Sequence, residues 1–250
     1  MANTREQDII RAFVDLSNEL VEGYDLVDLL SDLTVNCARL LDVASAGLLL
    51  ADGTGVLHLA AASSDRTQHL EIFQLQRQEG PCLDSYHGGE AVIVPDLTAE
   101  TDRWPEFVRA AEEVGFASVH ALPMRLRDTV LGTLGLFGEH TGRLSDDDLS
   151  LAQAMVHVAS VALVNEKSAS DLNTVNAQLQ HALVSRVTIE QAKGVIAHVG
   201  GLEMQDAFSV LRRYARDHGL KLSDVAHQVV TRERPGETLI EHAKTVSLLR

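Results

Sequence analysis

The chain has 250 residues, 45% hydrophobic and 23% charged, with a net charge of −15, which suits one large soluble domain or two ordinary ones. That acidity excludes non-specific coating of nucleic acid, a mode that neutralises many phosphates with Lys and Arg. Two cysteines, Cys37 and Cys82, exclude a disulfide framework, and aromatics at 4% leave core burial mainly to Leu, Val and Ala.

The opening MANTREQDIIRAF has no basic start followed by an apolar core. The longest apolar run, around residues 158–164, falls far short of the ~20 residues of a membrane span, so a cytoplasmic protein with no membrane partner is expected. Residues 7–41 read as helix. Ile9, Phe13, Leu16 and Leu20 recur at steps of three and four, and after Gly23 the rhythm resumes with Leu26, Leu29, Leu30, Leu33 and Leu40. The first stripe suits either its own domain or a partner helix.

From Ala46 the period changes to two. AGLLLAD and GVLHLAAAS, divided by a D-G-T-G turn, predict a hairpin. QHLEIFQLQ returns to helical spacing, and EAVIVPDL is a short strand ended by Pro95. PEFVRAAEEVG is a helix with Pro105 at its start and Gly115 at its end. ASVHALPMRL and TVLGTLGLFGE form two further strands around Arg127–Asp128. This order predicts an α+β domain with an antiparallel sheet flanked by helices.

Ser145 followed by Asp146, Asp147 and Asp148 is a helix start with carboxylates at the positive end of the dipole. Leu149, Ala152, Val156, Ala159 and Leu163 continue it, and Leu172, Val175, Leu179 and Ala182 resume the repeat after 165–170. A coiled-coil linker helix over 145–185, pairing two chains into a homodimer, is expected from this broken pattern. The alternative is a single helix covering the sheet, followed by a polar linker. The domain boundary falls near 169–174.

The tail differs in charge from the body. Residues 171–236 hold 8 Lys and Arg against 7 Asp and Glu, whereas residues 1–170 hold 11 against 27. Three short helices are expected there, at 187–199, 203–218 and 222–231. Their apolar stripes are Ile189, Ala192, Ile196 and Val199; then Met204, Ala207, Phe208, Leu211 and Ala215; then Leu222, Val225, Ala226 and Val229. Such stripes bury only against one another, giving a small bundle. Arg212, Arg213 and Arg216 occupy the opposite face of the second helix, and Arg186, Glu190 and Lys193 share a stripe on the first. Guanidinium groups suit phosphates through paired donors, so a polyanion-binding output is one reading and a solvated helix face the other.

The string Arg186-x-x-Ile189-Glu190-Gln191-Ala192-Lys193-Gly194, then Ala207-Phe208-x-x-Leu211-Arg212-Arg213-x-Ala215-Arg216, then Leu222-x-x-Val225-Ala226 closely resembles an ANTAR domain over residues 175–236. That family is the RNA-binding output module of bacterial transcription antiterminators: an all-α three-helix bundle that binds nascent transcripts bearing paired stem-loops. The resemblance implies RNA contact by Arg186, Lys193, Arg212, Arg213 and Arg216, with Gly194 allowing close approach and Ala192 and Phe208 in the core. VIAHVGG after Gly194 departs from the family's habit of a Met and a charged residue there. Residues 237–250 read as a C-terminal tail.

Residues 1–166, by element order and the glycine-broken strand LGTLGLFG, look like a GAF domain. The resemblance implies a sensor for an unknown small-molecule ligand or a redox signal. Cys82 follows Pro81 at a helix start, where the dipole would lower a thiol pKa, so it is a candidate sensing residue; a buried cysteine is the plainer meaning. Cys37 lies in an apolar stretch and reads as core.

No enzyme signature is present. The eleven histidines lack metal spacing, and Cys82 with His87 is a lone pair of potential ligands. Gly132-x-x-Gly135-x-x-Gly138 sits within a strand rather than before a helix, and Asp84, Glu90 and Asp96 lack a nucleophile partner. The expected function is a GAF-gated, RNA-binding antiterminator. Two rivals remain: a DNA-binding regulator using the last helices as a helix-turn-helix, and a GAF-fold thiol redox enzyme.

Overall fold

A computed structural model describes residues 2–21, 25–164, 172–246 and 248. The chain divides into two units, Met1–Gly23 with Leu29–Gln180, and Tyr24–Asp28 with His181–Arg250.

In the first unit α1 (Ala2–Val21) and α2 (Leu26–Leu40, of which Leu29 onward belongs here) precede the hairpin of β1 (Ser45–Ala51) and β2 (Leu57–Ala62). The D-G-T-G turn closes because Asp52 Oδ1 accepts from the amides of Thr54 and Val56 at 2.8 and 3.1 Å. Next come α3 (Asp65–Arg77), α4 (Pro81–Gly88), β3 (Val92–Val94), a 3-10 turn at Leu97–Glu100, α5 (Pro105–Glu113), β4 (Ser118–Leu126) and β5 (Thr129–Gly138). The five strands form one antiparallel sheet in the order β2-β1-β5-β4-β3.

One sheet face carries α3, α4 and α5 over Leu49, Val119, Ala121 and Phe137, which share a core with Leu70, Phe107 and Phe116. Strand alternation sends the intervening His120 and Leu122 to the opposite face. Proline at the first position of α5 spares an orphan amide, and Glu79 serves the next two: its Oε1 accepts from Glu106 and Phe107 at 2.7 and 2.9 Å.

The helix α6 (Asp146–Val164) packs against β4, burying Ala152, Met155, Val156, Ala159 and Leu163. Its cap is the one the sequence predicts: the Asp148 amide donates to Ser145 Oγ at 3.1 Å, and that hydroxyl donates to the Asp148 carboxylate at 2.9 Å. The first half of the expected linker is therefore a helix covering the sheet. Residues 165–171, and the side chains of Leu172, Val175 and Leu179, lie outside the described residues.

The second unit is built from the C-terminal part of α7 (Leu172–Gly200), with α8 (Met204–Asp217), α9 (Leu222–Val230) and α10 (Gly236–Thr245). Two corrections follow. The expected helix at 187–199 is the end of a longer one. The stretch read as a tail holds α10, whose Leu239, Ile240 and Ala243 enter the bundle core, so four helices share it. Burial of side chains such as Leu239 and Ile240 is worth roughly 1.5–3 kcal/mol each. The stripes are otherwise as expected, except that Val199 is exposed, Phe208 is only partly buried at the edge of the core, and Val210 and Tyr214 replace Met204 on the buried face of α8.

Candidate nucleic-acid interface

The bundle core fixes where its cations emerge. Ile189, Ala192 and Ile196 point α7 inward, which leaves Arg186, Glu190 and Lys193 on one flank at four- and three-residue steps. Glu190 links them, 3.7 Å from Arg186 and 2.9 Å from Lys193. Burial draws the Arg186 guanidinium down from its ordinary value, and Glu190 opposes that shift. The Lys193 ammonium lies 5.6 Å from the centre of the Phe208 ring, within cation–π range. That contact carries the cationic stripe from α7 onto α8.

Phe208, Arg212 and Arg216 then follow one another at single-turn steps along α8. Lys193, Phe208, Arg212 and Arg216 thus form one continuous ridge, in which Lys193 is buried at 8% exposure, Arg212 is largely shielded and Arg216 is exposed. Arg213 lies beside it, half exposed, with its Nε donating to Asp217 at 2.7 Å. The Arg213 and His242 bonds hold the Asp217 carboxyl below its usual range. Gly194 adjoins the ridge in open space: a Cβ there would meet nothing within 4 Å.

Several partners in this site carry no local sequence signal. Asp28 lies 2.5 Å from Arg212 and 3.2 Å from Arg216, and Asp25 Oδ2 accepts the Ser223 amide at 2.7 Å. Arg234 sits 5.0 Å over the Tyr214 ring, donates to its hydroxyl and holds Gln228 at 2.8 Å. The exposed positions of α9 are Asp224 and His227, neither of them a Lys or Arg. A helix-turn-helix reading would make α9 the base reader, and that surface does not favour it.

In the first unit, Cys82 occupies the second position of α4 after Pro81, as the sequence predicts. Its surroundings favour the plainer of the two sequence readings, a buried cysteine. The thiol is fully buried, and burial together with the Glu71 carboxyl pushes its pKa well above the usual 9.0. Cys37 is likewise buried and pushed up to about 12. Burial thus favours the neutral thiol at both cysteines, the less nucleophilic form. Cys82 instead lies 3.7 Å from Glu71, whose other oxygen accepts from Gln74 Nε2. Burial raises the Glu71 pKa from 4.5 to about 8. Glycines make the room: a Cβ on Gly47 or Gly135 would fall 2.6 or 2.8 Å from Glu71 Oε1.

An α+β unit with a five-stranded antiparallel sheet, followed by a helical bundle carrying a cationic ridge, defines a class of two-module proteins. The GAF domain family matches residues 24–164 and the ANTAR domain family residues 177–230. The chain belongs to the GAF family and carries the ANTAR module after it, in the order of a GAF–ANTAR protein.

Among solved structures, the chain is similar to the GAF domain of an Acinetobacter phosphoenolpyruvate-protein phosphotransferase, at 15% identity and a TM-score of 0.51, covering 73% of this chain and 96% of that one. It is also similar to free methionine-R-sulfoxide reductase from Neisseria meningitidis, at 15% identity and a TM-score of 0.49, covering 71% and 91%. At 15% identity the first of these likenesses is one of fold alone. No curated protein matches the chain. Among the described residues no helix is long and apolar enough to cross a membrane.

Proposed function

We propose that this chain is a regulator whose GAF unit governs an RNA-binding ANTAR bundle, and that the bundle antiterminates transcription by holding paired stem-loops in a nascent transcript. The observation that carries this reading is the ridge of Lys193, Phe208, Arg212 and Arg216 on a bundle of the ANTAR family. Guanidinium forks donate paired hydrogen bonds to phosphates and stack on unpaired bases. The site of action is cytoplasmic, where transcripts emerge. A homodimer engaging two stem-loops would raise the effective concentration of the second contact. The signal enters as a small molecule or a change at the GAF unit.

Titration against a tandem stem-loop RNA and a scrambled control at two salt concentrations tests the reading. Structure-selective, salt-sensitive binding is expected, and equal affinity for both RNAs would refute it. Lys193→Ala and Arg213→Ala should each weaken binding and reduce the salt slope by about one per lost phosphate contact, with the fold intact by circular dichroism. Gly194→Ala separates folding from binding. It should stabilise α7 by roughly 0.5–1 kcal/mol, because mid-helix glycine is costly and this position is open. If RNA approaches there, the same variant binds more weakly. Unchanged affinity in all three would move the RNA surface elsewhere.

A further inference from the structure

We infer that Asp25 and Asp28 form an acidic clasp that occupies the RNA-binding ridge and must be released before RNA can bind. The inference rests on reading that ridge as the RNA surface. Asp28 sits where a phosphate would sit: its two oxygens face the guanidinium groups of Arg212 and Arg216 at 2.5 and 3.2 Å. The pair is shielded, with the Asp28 and Arg212 side chains each 17% exposed. A carboxylate and a phosphate compete for the same paired donors, so one excludes the other.

Three further anchors show that this short segment is built into the bundle. Asp25 Oδ1 accepts the Val27 amide at 3.0 Å, capping α2, while its Oδ2 accepts the Ser223 amide at 2.7 Å. Ser223 lies in the first turn of α9, and Lys221 at the cap position supplies no side-chain bond, so Asp25 serves as a cap lent from far along the chain. Val27 is buried in the bundle core, with Leu26 packed against it. The segment 25–28 thus supplies an apolar plug flanked by two acids.

The sequence gives the clasp a connection to the sensor. Asp28 is in the first turn of α2, and the same helix continues from Leu29 to Leu40 as part of the GAF unit. A signal that shifts that helix or frays its first turn would pull the carboxylate from the arginines. In the clasped state only the released fraction binds RNA, so the apparent affinity falls by that fraction.

The test uses the full chain with two conservative variants. Asp28→Asn removes the charge at constant size, and Asp28→Glu keeps it. Two readouts are taken: phenylglyoxal modification of Arg212 and Arg216 by mass spectrometry, and affinity for the tandem stem-loop RNA. Asp28→Asn should raise the reactivity of both arginines and tighten RNA binding about tenfold, within the usual range of coupling between sites. Asp28→Glu should stay close to wild type. Unchanged arginine reactivity in Asp28→Asn overturns the clasp whatever the RNA does. Equal gains in both variants overturn it too, since packing rather than charge would then be responsible. Raised reactivity with no RNA bound by any form leaves the clasp standing and refutes the RNA reading.

Discussion

Glu71→Gln is expected to make the GAF unit several kcal/mol more stable than wild type above pH 8 and to match it near pH 4. The carboxyl is wholly buried and ionises near pH 8 in the fold, against 4.5 when exposed. Between those values the native state holds a proton that the unfolded chain gives up. Stability is therefore full below about pH 4.5, falls as pH rises through the folded value near 8, and is level beyond it. A displacement from 4.5 to about 8 corresponds to about 5 kcal/mol across that window. Glutamine keeps an acceptor for Gln74 Nε2 and never ionises. His120 works in the opposite direction: burial and Arg143 lower its pKa from 6.5 to about 4, so its contribution is lost on acidification. Subtracting the two profiles isolates Glu71. Denaturant melts from pH 4 to 9, followed by the one tryptophan, Trp104, which is buried in the GAF unit, supply the measurement. Parallel profiles for the two proteins would mean that Glu71 is not the neutral buried acid described here.

The GAF half was legible because its signals are local. Period-two apolar runs, the D-G-T-G turn, Pro105 and the Ser145 cap each dictate backbone geometry within a few residues, and each element stands where they place it. The bundle stripes were legible for the same reason. Helix α10 was missed because GETLIEHAKT has only a short apolar stripe, Leu239, Ile240 and Ala243, and a polar reading of its remainder looks like a tail. Cys82 stands at the helix start where the sequence places it, but its neighbour Glu71 was not legible. The dipole of an 8-residue helix cannot offset complete burial beside a carboxyl, and the acid that buries it is 11 positions away. The arginine positions on α8 follow from helical spacing, whereas their carboxylate partner, Asp28, is 188 residues from Arg216. Pairings over that span depend on tertiary packing, which periodicity does not encode.

Gly132→Ala should cost more than about 4 kcal/mol, enough to unfold the GAF unit or leave it marginal against a typical reserve of about 5–15 kcal/mol. Gly132 lies in β5, the middle strand of the sheet, opposite Leu50 on one side and Met124 on the other. A Cβ there would fall 2.1 Å from the Leu49 carbonyl oxygen and 3.0 Å from Leu50 Cα. Both are backbone atoms of a paired strand, so no rotamer change relieves the contact. The β1–β5 ladder must open or shift, and a one-residue shift would turn every inward side chain of β1 to the other face. Overpacking against a flexible side chain costs about 1–3 kcal/mol, and the fixed carbonyl places this site above that range. Thermal unfolding of Gly132→Ala beside Gly194→Ala, the open-space substitution on α7, provides the contrast. The β5 variant should lose its cooperative GAF transition while the α7 variant melts at or above wild type. A Gly132→Ala protein that melts within a few degrees of wild type would show that the β1–β5 ladder tolerates a side chain, contrary to this geometry.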